Sequence, residues 1–251
     1  MKWSDVPGRT VVLQQQLLRD LSHELRTPLS RLRVACESEQ DLEQLRERIS
    51  REVDGMQRLV EDALQLAWLD TERTSLPDEA IQVQALWEML TENACYESNW
   101  PASQLHCAVD ASCWVRGHLN TLAQALENIL RNAIRHSPQG GVVMFDGRRD
   151  GDFWHLWLED EGGGVADEDL ERIFSPFIRL EGSQPGEGGF GLGLSIARNA
   201  VQRQGGRLWA ENAGRGLRLN MLLLADLHGD NADAIANRPA PTVDMCRPLI
   251  A

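Results

Sequence analysis

The chain has 251 residues, 42% hydrophobic and 25% charged, enough for one large domain or two modest ones. A formal net charge of -13 argues against a protein that tracks a nucleic-acid backbone, so no nucleic-acid partner is expected. Cys36, Cys95, Cys107, Cys113 and Cys246 are odd in number and include no Cys-x-x-Cys pair, which reads as free thiols in a reducing compartment and excludes a disulfide frame or a zinc site.

An apolar stripe at Leu18, Leu21, Leu25, Leu29, Leu32 and Cys36 has the helical period and predicts a helix over residues 9–36. Residues 37–40 are short and polar, as in a helix–helix turn. A second stripe follows at Leu42, Leu45, Ile49, Val53, Met56, Val60, Ala63 and Leu66. Each helix has a wider apolar face than one partner helix covers, so two copies are expected to pack as a four-helix bundle, a homodimer. Residues 71–77 read as a linker. Beyond it, helices are predicted over 80–96, 119–136 and 191–204. Strands are predicted over 105–109, 113–115, 141–145, 153–158, 207–210 and 217–224. Helices mixed with a sheet in about 150 residues predict a two-layer α/β sandwich. The expected organisation is a helical hairpin over 1–75, an α/β domain over 76–226 and a disordered tail over 227–251, rich in Asp, Asn, Ala and Pro. No apolar run approaches the roughly 18 residues of a membrane span. The N-terminus carries no signal-peptide pattern. The chain as given therefore reads as cytoplasmic.

Chemistry first enters at Leu21-Ser22-His23-Glu24-Leu25-Arg26-Thr27-Pro28. Helix residues advance about 100° each, which puts His23 on the far side from Leu21 and Leu25, toward solvent. Glu24 is adjacent, Thr27 is one turn on, and Pro28 removes the N–H that would bond the carbonyl of Glu24. An exposed imidazole beside a carboxylate suits nucleophilic chemistry: the carboxylate orients the ring and takes its proton, and the other nitrogen attacks.

Four further segments follow in order. In Glu127-Asn128-Ile129-Leu130-Arg131-Asn132-Ala133-Ile134-Arg135-His136, the spacing puts Asn128, Asn132 and Arg135 on one helix side, and amide oxygens suit a magnesium shell already holding phosphates. Asp160-Glu161-Gly162-Gly163-Gly164 follows a strand; an ionised Asp there can accept from an adenine amino group while glycines admit the base. Ile173-Phe174-Ser175-Pro176-Phe177-Ile178-Arg179 sets two aromatics, core residues or lid anchors, beside a polar stretch. Gly186-Glu187-Gly188-Gly189-Phe190-Gly191-Leu192-Gly193 runs into a helix start, whose free N–H groups can face phosphates.

The octet around His23 resembles the phosphoacceptor box of sensor histidine kinases, His-Glu-x-x-Thr-Pro. The four later segments resemble the N, G1, F and G2 boxes of the same family's ATP-binding domain, a fold shared with DNA gyrase, heat-shock chaperone and mismatch-repair ATPases. The resemblance covers nearly the whole chain except its tail. It implies that His23 is the phosphoacceptor, Glu24 its general base, and Thr27 the residue that positions water in a reverse phosphatase reaction. It implies that Asn132, with Asn128 close by, binds Mg²⁺. Arg135 and His136 would lie near the phosphates and base, and Asp160 would read adenine. Gly162, Gly164, Phe174, Gly189, Gly191, Leu192 and Gly193 would shape the ATP pocket and lid, and Arg179 would reach the γ-phosphate. The partner it implies is a response-regulator protein. It also implies a membrane-anchored sensor region N-terminal to these residues. Two positions depart from the family: Glu161 stands where asparagine is common, and His136 where tyrosine is common. A true ATPase of this fold carries glutamate at the Asn128 position. Glu127 is adjacent but is rotated about 100° around the helix.

Overall fold

The computed structural model describes residues 6–38, 41–71, 78–180 and 189–226, with backbone alone for 6–15 and 68–71. The chain divides into two compact units, Met1–Arg73 with Ile173–Ile196, and Thr74–Arg172 with Ala197–Ala251. The expected linker, except Thr71, and the tail from residue 227 lie outside the described residues.

The first unit is built on α1 (Val6–Ser38) and α2 (Leu42–Thr71). The Asp41 carboxylate starts α2 by accepting the N–H groups of Glu43 (2.9 Å) and Gln44 (3.4 Å), two donors that a helix start otherwise leaves unpaired. Leu59 and Ala63 of α2 are buried with Leu192 and Ile196, and Leu21, Leu25, Leu66, Phe177 and Phe190 pack around them. Each leucine buried this way contributes roughly 1.5–3 kcal/mol. Leu18, Leu29, Val34, Val53 and Leu64 of these helices stay exposed, Leu18 at 62%, which leaves apolar surface uncovered among the described residues.

The second unit opens with β1 (Glu79–Gln82) and α3 (Val83–Ser98). The helix predicted from residue 80 therefore starts three residues later. Residues 79–82 are drawn into a strand by antiparallel pairing with β3 (Trp114–Gly117), Ile81 opposite Val115. The Gln82 side-chain oxygen then accepts from Ala85 N–H at 2.6 Å and caps α3. The remaining elements are β2 (Leu105–Cys107), α4 (Leu119–His136), β4 (Val143–Asp150), β5 (Phe153–Glu159), α5 (Gly193–Arg203), β6 (Arg207–Ala213) and β7 (Gly216–Leu224); α5 begins in the first unit. The five-stranded sheet runs β2-β4-β5-β7-β6, parallel between β2 and β4 and antiparallel elsewhere. β4 is longer than predicted because its register with β5 continues to Asp150 opposite Phe153.

Trp154, Leu156 and Leu158 alternate inward along β5, as a strand with one covered face requires. Leu122, Leu126, Ile129 and Ala133 of α4 bury the matching helical stripe. Trp87 of α3 stacks on Phe145 of β4 with ring centroids 4.6 Å apart. This is the two-layer α/β sandwich. Among the described residues Cys36, Cys95, Cys107 and Cys113 are free thiols; burial pushes the Cys113 thiol up to about 12, so it stays protonated.

Candidate active site

His23 is exposed on α1. Leu21 and Leu25, either side of it in sequence, turn into the apolar cluster of the first unit. Glu24 is half-buried and Thr27 exposed, while Pro28 is buried inside the helix. His23 thus lies exposed on a helix, one residue from the Glu24 carboxylate. Phe174 is buried in this unit, and Arg179 is exposed. Gly191 has φ +74° and closes a turn in which its carbonyl accepts from Phe177 N–H at 3.0 Å. Leu192 is 1% exposed, packed with Leu59 and Ala63; Gly189 precedes the turn and Gly193 starts α5. Residues 181–188, including Gly186 and Gly188 of the glycine segment, lie outside the described residues.

In the second unit, α4 carries Asn128, Asn132, Arg135 and His136. The Asn128 side-chain N–H donates to Gln124 carbonyl at 2.9 Å. Helix α4 stops at Ser137, whose extended backbone is what a residue before proline prefers, with Pro138 next. Asp160 follows the last residue of β5 and is 4% exposed. Its Oδ1 accepts the N–H groups of Gly162 (2.8 Å) and Leu217 (3.0 Å). Both bonds use the same oxygen, Oδ1. Burial pushes the Asp160 carboxyl up, and the two backbone bonds and the nearby His136 offset part of that. Gly162 lies flat against α4: a Cβ there would sit 2.8 Å from the His136 carbonyl oxygen. The structure thus brings His136, Asp160 and Gly162 together.

Sequence reasoning missed Asn212, and it noted Glu161 without its contact. Asn212 of β6 clamps the glycine turn, accepting from Val165 N–H at 2.9 Å and donating to Val165 carbonyl at 2.8 Å. A Cβ on Gly164, at φ +73°, would lie 2.5 Å from that same Asn212 oxygen. Glu161 bonds into the turn that follows α4. Neither carries a local signal, because both act on residues distant in sequence.

Glu127 faces away from Asn128, as the helix rotation predicts. It pairs with Arg131 at 2.9 Å, and Arg131 also bonds Glu97 of α3 at 2.8 Å. Burial pushes its carboxyl up and Arg131 draws it back.

Two family models divide the chain along this chemistry. The model described as His Kinase A (phospho-acceptor) domain matches residues 13–72, and the one described as Histidine kinase-, DNA gyrase B-, and HSP90-like ATPase matches 117–226. Sensor protein PfeS of Pseudomonas aeruginosa is 58% identical over 212 residues, 84% of this chain and 47% of that protein. The chain belongs to the sensor histidine kinases. Sensor histidine kinase CpxA of Escherichia coli is 36% identical over 211 residues, 82% of this chain and 45% of CpxA. In fold, the chain is similar to the solved histidine kinase AdeS of Acinetobacter baumannii, with a TM-score of 0.65 over 81% of this chain and 98% of that one, at 24% identity. The chain spans about half the length of the curated relatives it matches. No described helix is long and apolar enough to cross a membrane.

A magnesium nucleotide would draw on Asn128 and Asn132, which α4 carries one turn apart. Among the described residues no group of three or more His, Cys, Asp or Glu side chains could hold a metal alone. Mg²⁺ is suited to the alternative, one or two protein oxygens with phosphates and waters completing the shell. Histidine in the tyrosine position of this histidine kinase adds a titratable ring. Desolvation, then Arg135, push the His136 imidazole down, and Asp160 partly opposes them. Its protonation therefore falls below pH 6.5. Nucleotide affinity of wild type and His136→Tyr should run parallel from pH 7 to 8 and separate only on the acid side. Calorimetric titration with ADP–Mg²⁺ across pH 5 to 8 checks this; a separation centred above neutrality would contradict the downward shift.

Proposed function

We propose that this chain is the kinase core of a two-component sensor. It binds Mg²⁺–ATP, phosphorylates its own His23 and passes that phosphoryl group to an aspartate of a response-regulator protein. The observation that carries the reading is the pairing of chemistries in one chain: an exposed His23 beside Glu24 on the hairpin, and a buried Asp160 near α4, where Glu127 is held in an ion pair with Arg131. In this reading the hairpin over 1–75 holds the acceptor, residues 76–226 hold the nucleotide, and 227–251 form a tail. The exposed leucines and valines of α1 and α2 suit burial in a homodimeric four-helix bundle.

Asp160 Oδ2 accepts the adenine amino group, and Gly162 and Gly164 leave room for the base beside the backbone. Asn132 and Asn128 offer amide oxygens to Mg²⁺, which when bound neutralises charge on the phosphates. Arg135 and His136 lie near them at the end of α4. The resemblance assigns Phe174, Gly189, Gly191, Leu192 and Gly193 to the nucleotide lid and Arg179 to the γ-phosphate. A ring nitrogen of His23 attacks the γ-phosphorus in line, the bond to the ADP oxygen breaks, and Glu24 takes the proton from the other ring nitrogen. Thr27 serves the reverse role, holding water for dephosphorylation of the regulator. The matched relatives are named sensors and are about twice as long. The reading places signal input and membrane attachment in sequence N-terminal to these residues.

Incubation with γ-labelled ATP and Mg²⁺ tests the reading. Label should accumulate on the protein and be lost in acid but kept in base. Steady release of free phosphate with no labelled protein would instead make the chain an ATPase.

A further inference from the structure

We propose that Glu161 is a positioning residue for the nucleotide, setting the distance between Asp160 and the helix that carries Asn128 and Asn132. The inference rests on the kinase reading above. Helix α4 ends at Ser137 and the chain enters β4 at Val143, with a tight turn between them closed by Gly141 N–H donating to Pro138 carbonyl at 2.8 Å. Glu161 bonds this turn at both ends. Its backbone N–H donates to Ser137 Oγ at 3.4 Å, and its Oε2 accepts Val142 N–H at 3.1 Å.

The carboxylate packs close on Gly141: a Cβ there would lie 3.3 Å from Oε2 and 2.9 Å from the Pro138 carbonyl oxygen. One residue on, Gly162 lies against the His136 main chain. The Asp160 turn is thus stitched to the exit of α4 at residues 136, 137 and 142. A nucleotide spans those two places, with its base at Asp160 and its phosphates along α4, so their separation decides whether both ends are held together. The asparagine common in the family is one methylene shorter and stops about 1.5 Å short. That takes the contact beyond hydrogen-bond range. Glutamate therefore supplies a tie that the common residue does not reach.

The experiment compares wild type, Glu161→Ala, Glu161→Asn and Glu161→Gln. It measures ADP–Mg²⁺ affinity by calorimetry, KM and kcat for autophosphorylation with ATP, and thermal melting. Loss of one net hydrogen bond predicts that the Ala and Asn variants raise both Kd and KM about fivefold. The kcat should hold, and the Gln variant, which keeps an oxygen at the same reach, should return to wild-type affinity. Wild-type affinity in the Ala variant overturns the proposal, as does equal weakness in Ala and Gln, or a fall in kcat at constant KM. If wild type itself binds no nucleotide, the kinase reading fails first. Should the Ala variant melt before binding is measured, the Asn and Gln pair carries the same comparison.

Discussion

Replacement of His23 by glutamine is expected to remove all acid-labile label from the protein, a fall of roughly 10³-fold or more, as for loss of a nucleophile. Glutamine keeps the polarity and approximate size of the side chain but offers no ring nitrogen to attack phosphorus. His23 is exposed on α1, and the packing of its turn comes from Leu21 and Leu25, which the substitution leaves alone. Stability should therefore change by less than about 0.5 kcal/mol. ATP affinity should be unchanged, because the candidate adenine and magnesium groups lie on α4 and after β5. Label measured before and after acid treatment, beside ADP–Mg²⁺ calorimetry on the same sample, reads both. Persistent acid-labile label on His23→Gln would move the acceptor to another histidine, and His106, His118, His136, His155 and His228 would then be replaced in turn.

Asp160→Asn should weaken nucleotide binding about 10- to 100-fold, the range for losing a buried hydrogen bond to a charged group. The reason is geometric. Oδ1 already accepts two backbone N–H groups, from Gly162 and Leu217. An asparagine must keep its single oxygen on those donors, so its amide N–H group meets the adenine amino group, donor against donor. The wild type should show a pH limb that the variant lacks. Adenine needs the ionised carboxylate, and burial raises the Asp160 pKa above the ordinary 3.8. Affinity is therefore full at pH values above the raised pKa and declines as pH falls through it, earlier than an exposed aspartate would allow. ADP titrations of both proteins from pH 4.5 to 8 separate this limb from titration of the nucleotide, which both share. An Asp160→Asn protein that binds as tightly as wild type would remove Asp160 from adenine recognition.

How much of this was legible follows from where each signal is carried. The span of α4 was readable to both ends, Leu119 and His136, because its apolar stripe is unbroken and Ser137-Pro138 stops it locally. The strand at Glu79–Gln82 was not, because four residues make no distinctive period and Ile81 is a strand only through pairing with Val115, 34 positions later. The same distinction separates the site residues. His23 and Asp160 stand in motifs whose chemistry is local. Asn212 clamps Val165 from 47 residues away, and Glu161 reaches Val142 across 19.

By itself, then, the sequence determined the chemical inventory and its order: an exposed histidine on a helical hairpin, paired amides on a long helix, and an aspartate before a glycine turn. It could do so because helical period, capping and motif spacing are set by residues within a turn or two of one another. Only the tertiary structure decided which Asp160 oxygen takes the two backbone N–H groups, that Glu127 pairs with Arg131, and which groups brace the glycine turn. Those outcomes depend on hydrogen bonds between distant segments, which exist only once the sheet has brought its strands into register.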